Sequence, residues 1–302
     1  MNDDRRPGQK AGRGPSPDLS HHPVPDANRS LAQAERDDLW RVAHLLADAA
    51  RPEALRHFRV GAEAEDKSPG REGPSGGISR YDPVTEGDRA AERAMRAVLA
   101  RERPRDAVLG EELGATEGTS GLTWVLDPID GTRGFLAGTP TWGVLVAVAD
   151  AQGPLLGIID QPYIRERFAG GLGEATVAGP SGVAPLRTRP PRPLAEAILL
   201  STFPEIGTEA ERRAFGRVAA RARLVRYGMD CYGYALLAAG QVDLVVEAGL
   251  QPYDVGAPLA VVEAAGGLVT DWEGGPAHRG GRVVAAASRE VHAEALALLA
   301  GA

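Results

Sequence analysis

The stretch Trp124-Val125-Leu126-Asp127-Pro128-Ile129-Asp130-Gly131-Thr132 decides the reading of this chain. Residues 124–126 read as the end of an apolar strand, because the Asp-Pro step that follows disfavours helix for the residue before the proline. Asp127 and Asp130 then bracket Pro128 and Ile129 on one turn at the strand's end, where ligand sites concentrate in α/β folds. Gly131 permits a close backbone approach, so the amides of residues 130–132 could cradle an anion such as phosphate.

Most of the 41 Asp and Glu residues are expected on a solvated surface. Two further positions stand beside apolar runs or turns: Gly110-Glu111-Glu112 after the apolar residues 107–109, and Asp254 after Pro252-Tyr253, where a helix is about to start. Carboxylates gathered without His or Cys are hard oxygen ligands, suited to Mg²⁺ or Mn²⁺ rather than zinc. Their mutual repulsion is costly unless cations fill the cluster. With two metals roughly 3.5–4 Å apart, one can activate water while both neutralise charge on a phosphoryl group. The same aspartates could instead serve as caps and Asx-turns, and spacing alone does not separate these readings.

Residues 1–29 are rich in Gly, Pro, Asp and Arg and are expected to be disordered or tag-derived. Ser30 opens a first helix with Gln33 in a capping-box pattern, and Leu31, Leu39, Val42, Leu45 and Leu46 form its buried stripe. Residues 61–81 read as a polar, Gly-rich loop, mobile or functional at this length. A helix over 86–100 buries Met95, Val98 and Leu99, and strands follow at 123–126, 143–149 and 157–160. The Pro-rich residues 185–193 read as a hinge between sub-domains 30–184 and 194–302. Beyond it the pattern gives a strand (197–201), two helices (208–221 and 230–239), a strand (243–247), a helix (254–265) and a strand (267–270). A last strand at 283–286 precedes a helix capped by Ser288. Such alternation favours a layered α/β architecture.

The 302 residues suit a two-part α/β enzyme, and 43% hydrophobic with 25% charged residues is ordinary for a soluble chain. No run approaches the roughly 18 apolar residues of a membrane span, and no apolar run follows the N-terminal charges, so a cytoplasmic location is expected. A net charge of −7 argues against a general nucleic-acid binder. The single cysteine, Cys231, excludes an intramolecular disulfide and reads as a small buried hydrophobe. The six histidines share no motif and are not expected in catalysis. Phe135 and Trp142 are expected to pack under the 127–132 segment. Arg165 and Arg167 are read as reaching a phosphate or a neighbouring subunit, or as surface ion pairs.

Taken together, Gly110-Glu111-Glu112, the 124–132 stretch and Pro252-Tyr253-Asp254 resemble the inositol monophosphatase superfamily. Asp82-Pro83-Val84-Thr85-Glu86-Gly87-Asp88 and Gly266-Gly267-Leu268-Val269-Thr270-Asp271 match it too, so the resemblance covers roughly residues 30–300. It implies a layered α-β-α-β-α, sugar-phosphatase-like fold in two sub-domains with a metal site between them. It further implies an Mg²⁺-dependent phosphatase using two or three ions, with Mn²⁺ as a substitute, acting on a small phosphorylated metabolite. Glu111, Asp127 and the Ile129 carbonyl would hold one ion, and Asp127, Asp130 and Asp254 a second. Thr132 would hydrogen-bond the attacking water, with Asp88 polarising its hydroxyl and Glu111 completing the catalytic set. Gly131 and Thr132 would offer amides to phosphate, bordered by Asp130 and Asp254. The water would attack directly, with inversion at phosphorus. A homodimer is implied, with neither nucleic-acid nor membrane partners.

Within the superfamily, several phrases look like the histidinol-phosphate phosphatase branch: Ile159-Asp160-Gln161-Pro162 with Arg165-Glu166-Arg167, and Gly228-Met229-Asp230-Cys231-Tyr232. Histidinol carries a cationic amine, and Asp230 with Glu247 would supply negative charge at the leaving group. Asp230 could equally cap the helix beginning there. Inositol 1-phosphate and 3′-phosphoadenylate nucleotides are the alternative substrates, and a non-catalytic metal- or phosphate-binding regulator is the alternative class. Two departures stand out. Lys67 is separated from Asp82 by an expanded segment, and Gly87, where Ala is usual, is expected to loosen the turn slightly.

Overall fold

The computed structural model describes residues 31–61, 64–66 and 83–301. The expectations for residues 1–29, Ser30, His21, His22, Lys67, residues 68–81 and Asp82 lie outside the described residues. Helix α1 (Gln33–His57) begins from Ala32, which makes no side-chain cap, and continues through Pro52. Leu39, Val42 and Leu46 are buried on its inner stripe, as their spacing requires. β1 (Ala64–Asp66) pairs antiparallel with β2 (Pro83–Thr85), so part of the segment read as loop is strand. α2 (Glu86–Glu102) starts from a capping box in which Thr85 is the N-cap and Asp88 the third helical residue.

β3 (Ala107–Gly110), β4 (Gly114–Thr116) and β5 (Thr123–Asp130) lead into the short helix α3 (Thr132–Ala137). β6 (Gly143–Asp150), β7 (Gly153–Gln161), β8 (Glu166–Gly171), β9 (Glu174–Gly179) and β10 (Gly182–Pro185) follow as antiparallel hairpins. Among the described residues these form one sheet in the order β10-β9-β8-β7-β6-β5-β3-β4. β5 lies inside the sheet, paired parallel with β3 and antiparallel with β6. It is buried on both faces, which is why its sequence is a continuous apolar run rather than an alternating one.

After a single 3₁₀ turn come β11 (Ile198–Ser201), α4 (Glu209–Ala219), β12 (Leu224–Tyr227), α5 (Asp230–Ala238), β13 (Leu244–Leu250) and α6 (Pro252–Ala264). β14 (Leu268–Thr270), β15 (Gly281–Ala286) and α7 (Arg289–Ala300) complete the chain, with Ser288 accepting from the Val291 N–H as expected of a cap. The second sheet runs β12-β11-β13-β15-β14. β8, β9, β10 and β12 have no counterpart in the sequence reading: β9, β10 and β12 are short and largely exposed, and β8 buries only Phe168, Ala169 and Gly170, too short an apolar run to stand out.

The layers are α1 and α2, the first sheet, α5 and α6, the second sheet, then α4 and α7. This is the expected α-β-α-β-α architecture. Residues 255–262 of α6 are all buried, since the helix has a sheet on either side and no solvent face to cover. One core joins Val125, Leu145 and Ile159 of the first sheet to Val245 and Val283 of the second through Leu237 and Val261. No helix among the described residues is long and apolar enough to cross a membrane.

Candidate metal centre

Asp127 and Asp130 do not follow β5 on a turn, as the sequence suggested. They lie within its irregular end. Asp127 pairs with Leu145 and Asp130 with Gly143, so β5 carries one extra residue at this point, a β-bulge. Pro128 sits in the bulge, where its missing N–H costs no ladder bond. Asp127 Oδ1 accepts from the Ile129 N–H at 3.1 Å, an Asx-type turn. Gly131, at φ +82°, then redirects the chain into α3.

Asp254 arrives from α6. It is the third helical residue, and its Oδ2 accepts from the Gln251 N–H at 2.6 Å. Asp130 Oδ2 accepts from the Cys231 N–H at the start of α5, 2.7 Å away. Each aspartate thus accepts a backbone N–H and still belongs to the cluster, so its structural bond does not remove it from the group. Carboxylate oxygens of Asp127, Asp130 and Asp254 all lie within 4.8 Å of one another.

Glu111 completes the group. It leaves β3 with its N–H on the Leu126 carbonyl (3.2 Å), and its carboxyl hydrogen-bonds that of Asp127. Burial, then the charges of Glu111, Asp130 and Asp254, push Asp127 well above the usual carboxylate range. Burial, then Asp230 and Asp254, do the same to Asp130 despite the Cys231 N–H. Four converging acids, all with oxygen donors, fit hard divalent cations, whose charge would relieve the repulsion.

The turn bearing Glu111 is held by Glu92, which the sequence reading passed over. Its buried carboxylate accepts from the N–H groups of Glu112 (2.7 Å) and Leu113 (3.3 Å), and from Arg96 Nε (2.7 Å). Glu92 and Arg96 look like an ordinary surface pair four residues apart on a helix. The one signal was Gly110, where a Cβ would stand 2.0 Å from Glu92 Oε1.

Asp88 is buried, and its Oδ2 accepts from the Thr85 N–H (2.8 Å) and hydroxyl (2.5 Å). Its Oδ1 has no hydrogen-bond partner among the described residues. Burial raises its pKa to about 6, opposed by the Thr85 bonds, with Glu111 adding to the rise. The expected bond from the Thr132 hydroxyl to Asp88 is not made. Thr132 opens α3, and its hydroxyl reaches back to the Ile129 carbonyl at 3.2 Å. Gly87 is also not the slack position expected, since a Cβ there would lie 3.1 Å from His57 Cβ.

Asp230 does not cap α5. The N-cap is Met229, and Asp230 is the first helical residue with φ +46°. Its side chain lies against Gly131, where a Cβ would come within 2.9 Å of Asp230 Cγ. Burial raises its pKa to about 6, offset in part by Arg133. The Arg133 guanidinium lies 5.4 Å from the Phe203 ring centre. Glu247, on β13, is buried and accepts from the Thr202 N–H (2.6 Å), the Thr202 hydroxyl (3.0 Å) and the Ser201 hydroxyl (3.3 Å). Burial pushes its pKa to about 8, with Asp230 contributing. Below the bulge, Phe58, Ile129, Phe135 and Trp142 form an apolar cluster, as expected of the two aromatics.

Comparison with known proteins matches residues 35–301 to the model of the inositol monophosphatase family. The chain is 37% identical over 277 residues to the bifunctional phosphatase IMPL2 of Arabidopsis thaliana, covering 88% of this chain and 76% of that protein. It is 35% identical over 209 residues to the histidinol-phosphatase of Mycobacterium tuberculosis, covering 67% and 79% of the two chains. Among solved structures, an inositol monophosphatase from Zymomonas mobilis superposes with a TM-score of 0.75 at 36% identity, covering 89% of this chain and all of that one.

Proposed function

From the premise that this chain belongs to the inositol monophosphatase family, a family of metal-dependent phosphatases of small phosphorylated substrates, we propose that its substrate is histidinol phosphate and its metal Mg²⁺. The observation that carries the substrate is the pair Asp230, packed against Gly131, and Glu247, near enough to Asp230 for their charges to repel. A cationic amine on the leaving group would relieve that repulsion, whereas an inositol ring brings only neutral hydroxyls. The likeness to proteins named histidinol-phosphatase and IMPL2 supports the same reading.

Glu111, Asp127, Asp130, Asp254 and the Ile129 carbonyl would hold the cations, which when bound supply charge neutralisation and an acidified water. The remaining work falls to the protein's own groups. The Gly131 and Thr132 amides stand at the start of α3, where helix N–H groups lack intrahelical acceptors, and would orient the phosphate. Thr132, whose hydroxyl donates to the Ile129 carbonyl, would steer the nucleophilic water. Asp88 acts one step behind, by fixing Thr85 and the beginning of α2 beside Glu111. Asp230 and Glu247 would bind the amine of the leaving group. A homodimer and a cytoplasmic location belong to the same proposal.

The second reading, inositol 1-phosphate, is favoured by the likeness to the Zymomonas mobilis enzyme. Turnover of histidinol phosphate, inositol 1-phosphate and a 3′-phosphoadenylate nucleotide, each with Mg²⁺, separates them. Histidinol phosphate should show the highest kcat/KM. Much faster cleavage of inositol 1-phosphate would make the substrate assignment wrong while leaving the metal centre intact.

A further inference from the structure

An arginine-lined cavity of about 340 Å³ opens where α1 meets β8 and the β9–β10 turn, formed by Arg51, Arg165, Arg167, Ala178, Gly179 and Pro180. Two of its arginines, Arg51 and Arg167, are anchored by Asp160, which is wholly buried on β7. Arg51 holds both Asp160 oxygens, through Nε (3.1 Å) and Nη2 (2.5 Å), and Arg167 Nε adds a third bond at 2.7 Å. Arg167 spends its other two nitrogens on Asp48 (2.7 Å) and His44 Nδ1 (3.2 Å). Burial, then Arg167, lower the His44 pKa, so the ring is neutral at pH 7 and adds no charge.

Three guanidiniums therefore face two carboxylates, Asp160 and Asp48. The uncompensated charge is Arg165. Its side chain makes no hydrogen bond or ion pair among the described residues, and neither does Nη1 of Arg51. Arg165 also holds φ +62°, a conformation glycine adopts freely and a long side chain rarely does. The cavity lies on the α1 face of the sheet. Glu166, between Arg165 and Arg167, points to the opposite face and accepts from the Tyr232 hydroxyl of α5 at 2.8 Å. Asp130 is tied to α5 as well, through Cys231, so the arginine cavity is separate from the metal centre.

The geometry points to this cavity as a second, non-catalytic binding site for a small phosphate-type oxyanion, taken by the free guanidinium of Arg165 and Nη1 of Arg51. Guanidinium forks match tetrahedral oxyanions bidentately, and a buried counter-charge beneath them keeps the forks in place. The volume falls at the lower end of small-molecule sites and exceeds what a bare phosphate fills, so a phosphorylated metabolite of modest size suits it.

The test is to soak crystals of the full chain, with Mg²⁺ present, in tungstate as an electron-dense phosphate mimic, and to compare wild type with Arg165→Ala. Two anomalous peaks are expected in the wild type, one at the carboxylate centre and one beside Arg165. Only the first should remain in the variant. In solution, titrations with inorganic phosphate and with a non-hydrolysable alkyl phosphonate should each show a second site, weakened about tenfold or more by Arg165→Ala and partly restored by Arg165→Lys. The tighter of the two arms identifies the source as free phosphate or an ester. Turnover of an aryl phosphate, unchanged in both variants, verifies the fold. A single peak in the wild type, or cavity density that survives Arg165→Ala, overturns the proposal.

Discussion

The backbone N–H of Cys231 donates to Asp130 Oδ2 at 2.7 Å, fastening the start of α5 to the end of β5 across 101 residues of sequence. That bond joins the part of the chain bearing Asp127 to the part bearing Asp230 and Asp254, and it determines which oxygen of Asp130 remains for the cluster. It also makes Asp130 the member whose charge is most informative to remove.

Asp130→Asn retains an oxygen to accept from Cys231 but removes one negative charge. In the presence of a chelator its melting temperature should exceed that of the wild type, because one repelling acid is gone. With Mg²⁺ the order should reverse. Ligand at 100 times its Kd stabilises by about 2.7 kcal/mol, and the variant forfeits much of that. Its kcat/KM should fall at least about 100-fold. An Mg²⁺-induced shift equal to the wild type's, read by scanning calorimetry, would remove Asp130 from the metal set.

Gly110→Ala would drive a methyl group into Glu92, whose carboxylate holds the Glu111 turn. The expected loss is about 1–3 kcal/mol by urea denaturation, together with weaker Mg²⁺ binding. Wild-type stability in the variant would show that the Glu92 carboxylate can move aside without consequence.

Glu263 offers a pH test away from the metal centre. Burial alone raises its pKa from 4.5 to about 7, so the folded protein retains a proton that the unfolded chain releases. The contribution is fully present below pH 4.5 and is lost as pH rises through 7. Glu263→Gln, which cannot ionise, should therefore match the wild type near pH 4 and exceed it at pH 8 by up to about 3 kcal/mol. Parallel stability curves for the two proteins between those pH values would refute the assignment.

Glu247→Gln and Asp230→Asn should each reduce kcat/KM for histidinol phosphate about tenfold or more, while an aryl phosphate is affected less. The comparison is made at fixed Mg²⁺ from initial rates of phosphate release. Equal losses on both substrates would mean that these acids only support the site, Glu247 through Ser201 and Thr202.

Much of the centre was legible because its residues are local in sequence. Asp127, Asp130 and Gly131 share one strand end, and the Pro252-Tyr253-Asp254 helix start is visible in three residues. Glu92 was not legible, since a glutamate four residues from an arginine on a helix looks solvent-exposed until Gly110 is seen against it. The Thr132–Asp88 bond was expected and is absent, because Asp88 already serves Thr85 and Thr132 finds the Ile129 carbonyl three residues back. The strands β9 and β10 escaped notice because an exposed edge hairpin needs no apolar pattern.

By itself the sequence determined the layered α/β order and the helix starts after Thr85, at Thr208 and after Ser288, whereas the carboxylate group was implied by the family resemblance. The order and the helix starts follow from local rules: side-chain periodicity, capping and the exclusion of proline from helix. Only the tertiary structure decided that both aspartates of the central strand sit in a bulge, that Asp230 presses on Gly131 instead of capping its helix, and that Arg165 alone of its cluster lacks a counter-charge among the described residues. Each depends on which side chains meet across a sheet or between layers, and such meetings have no fixed spacing along the chain.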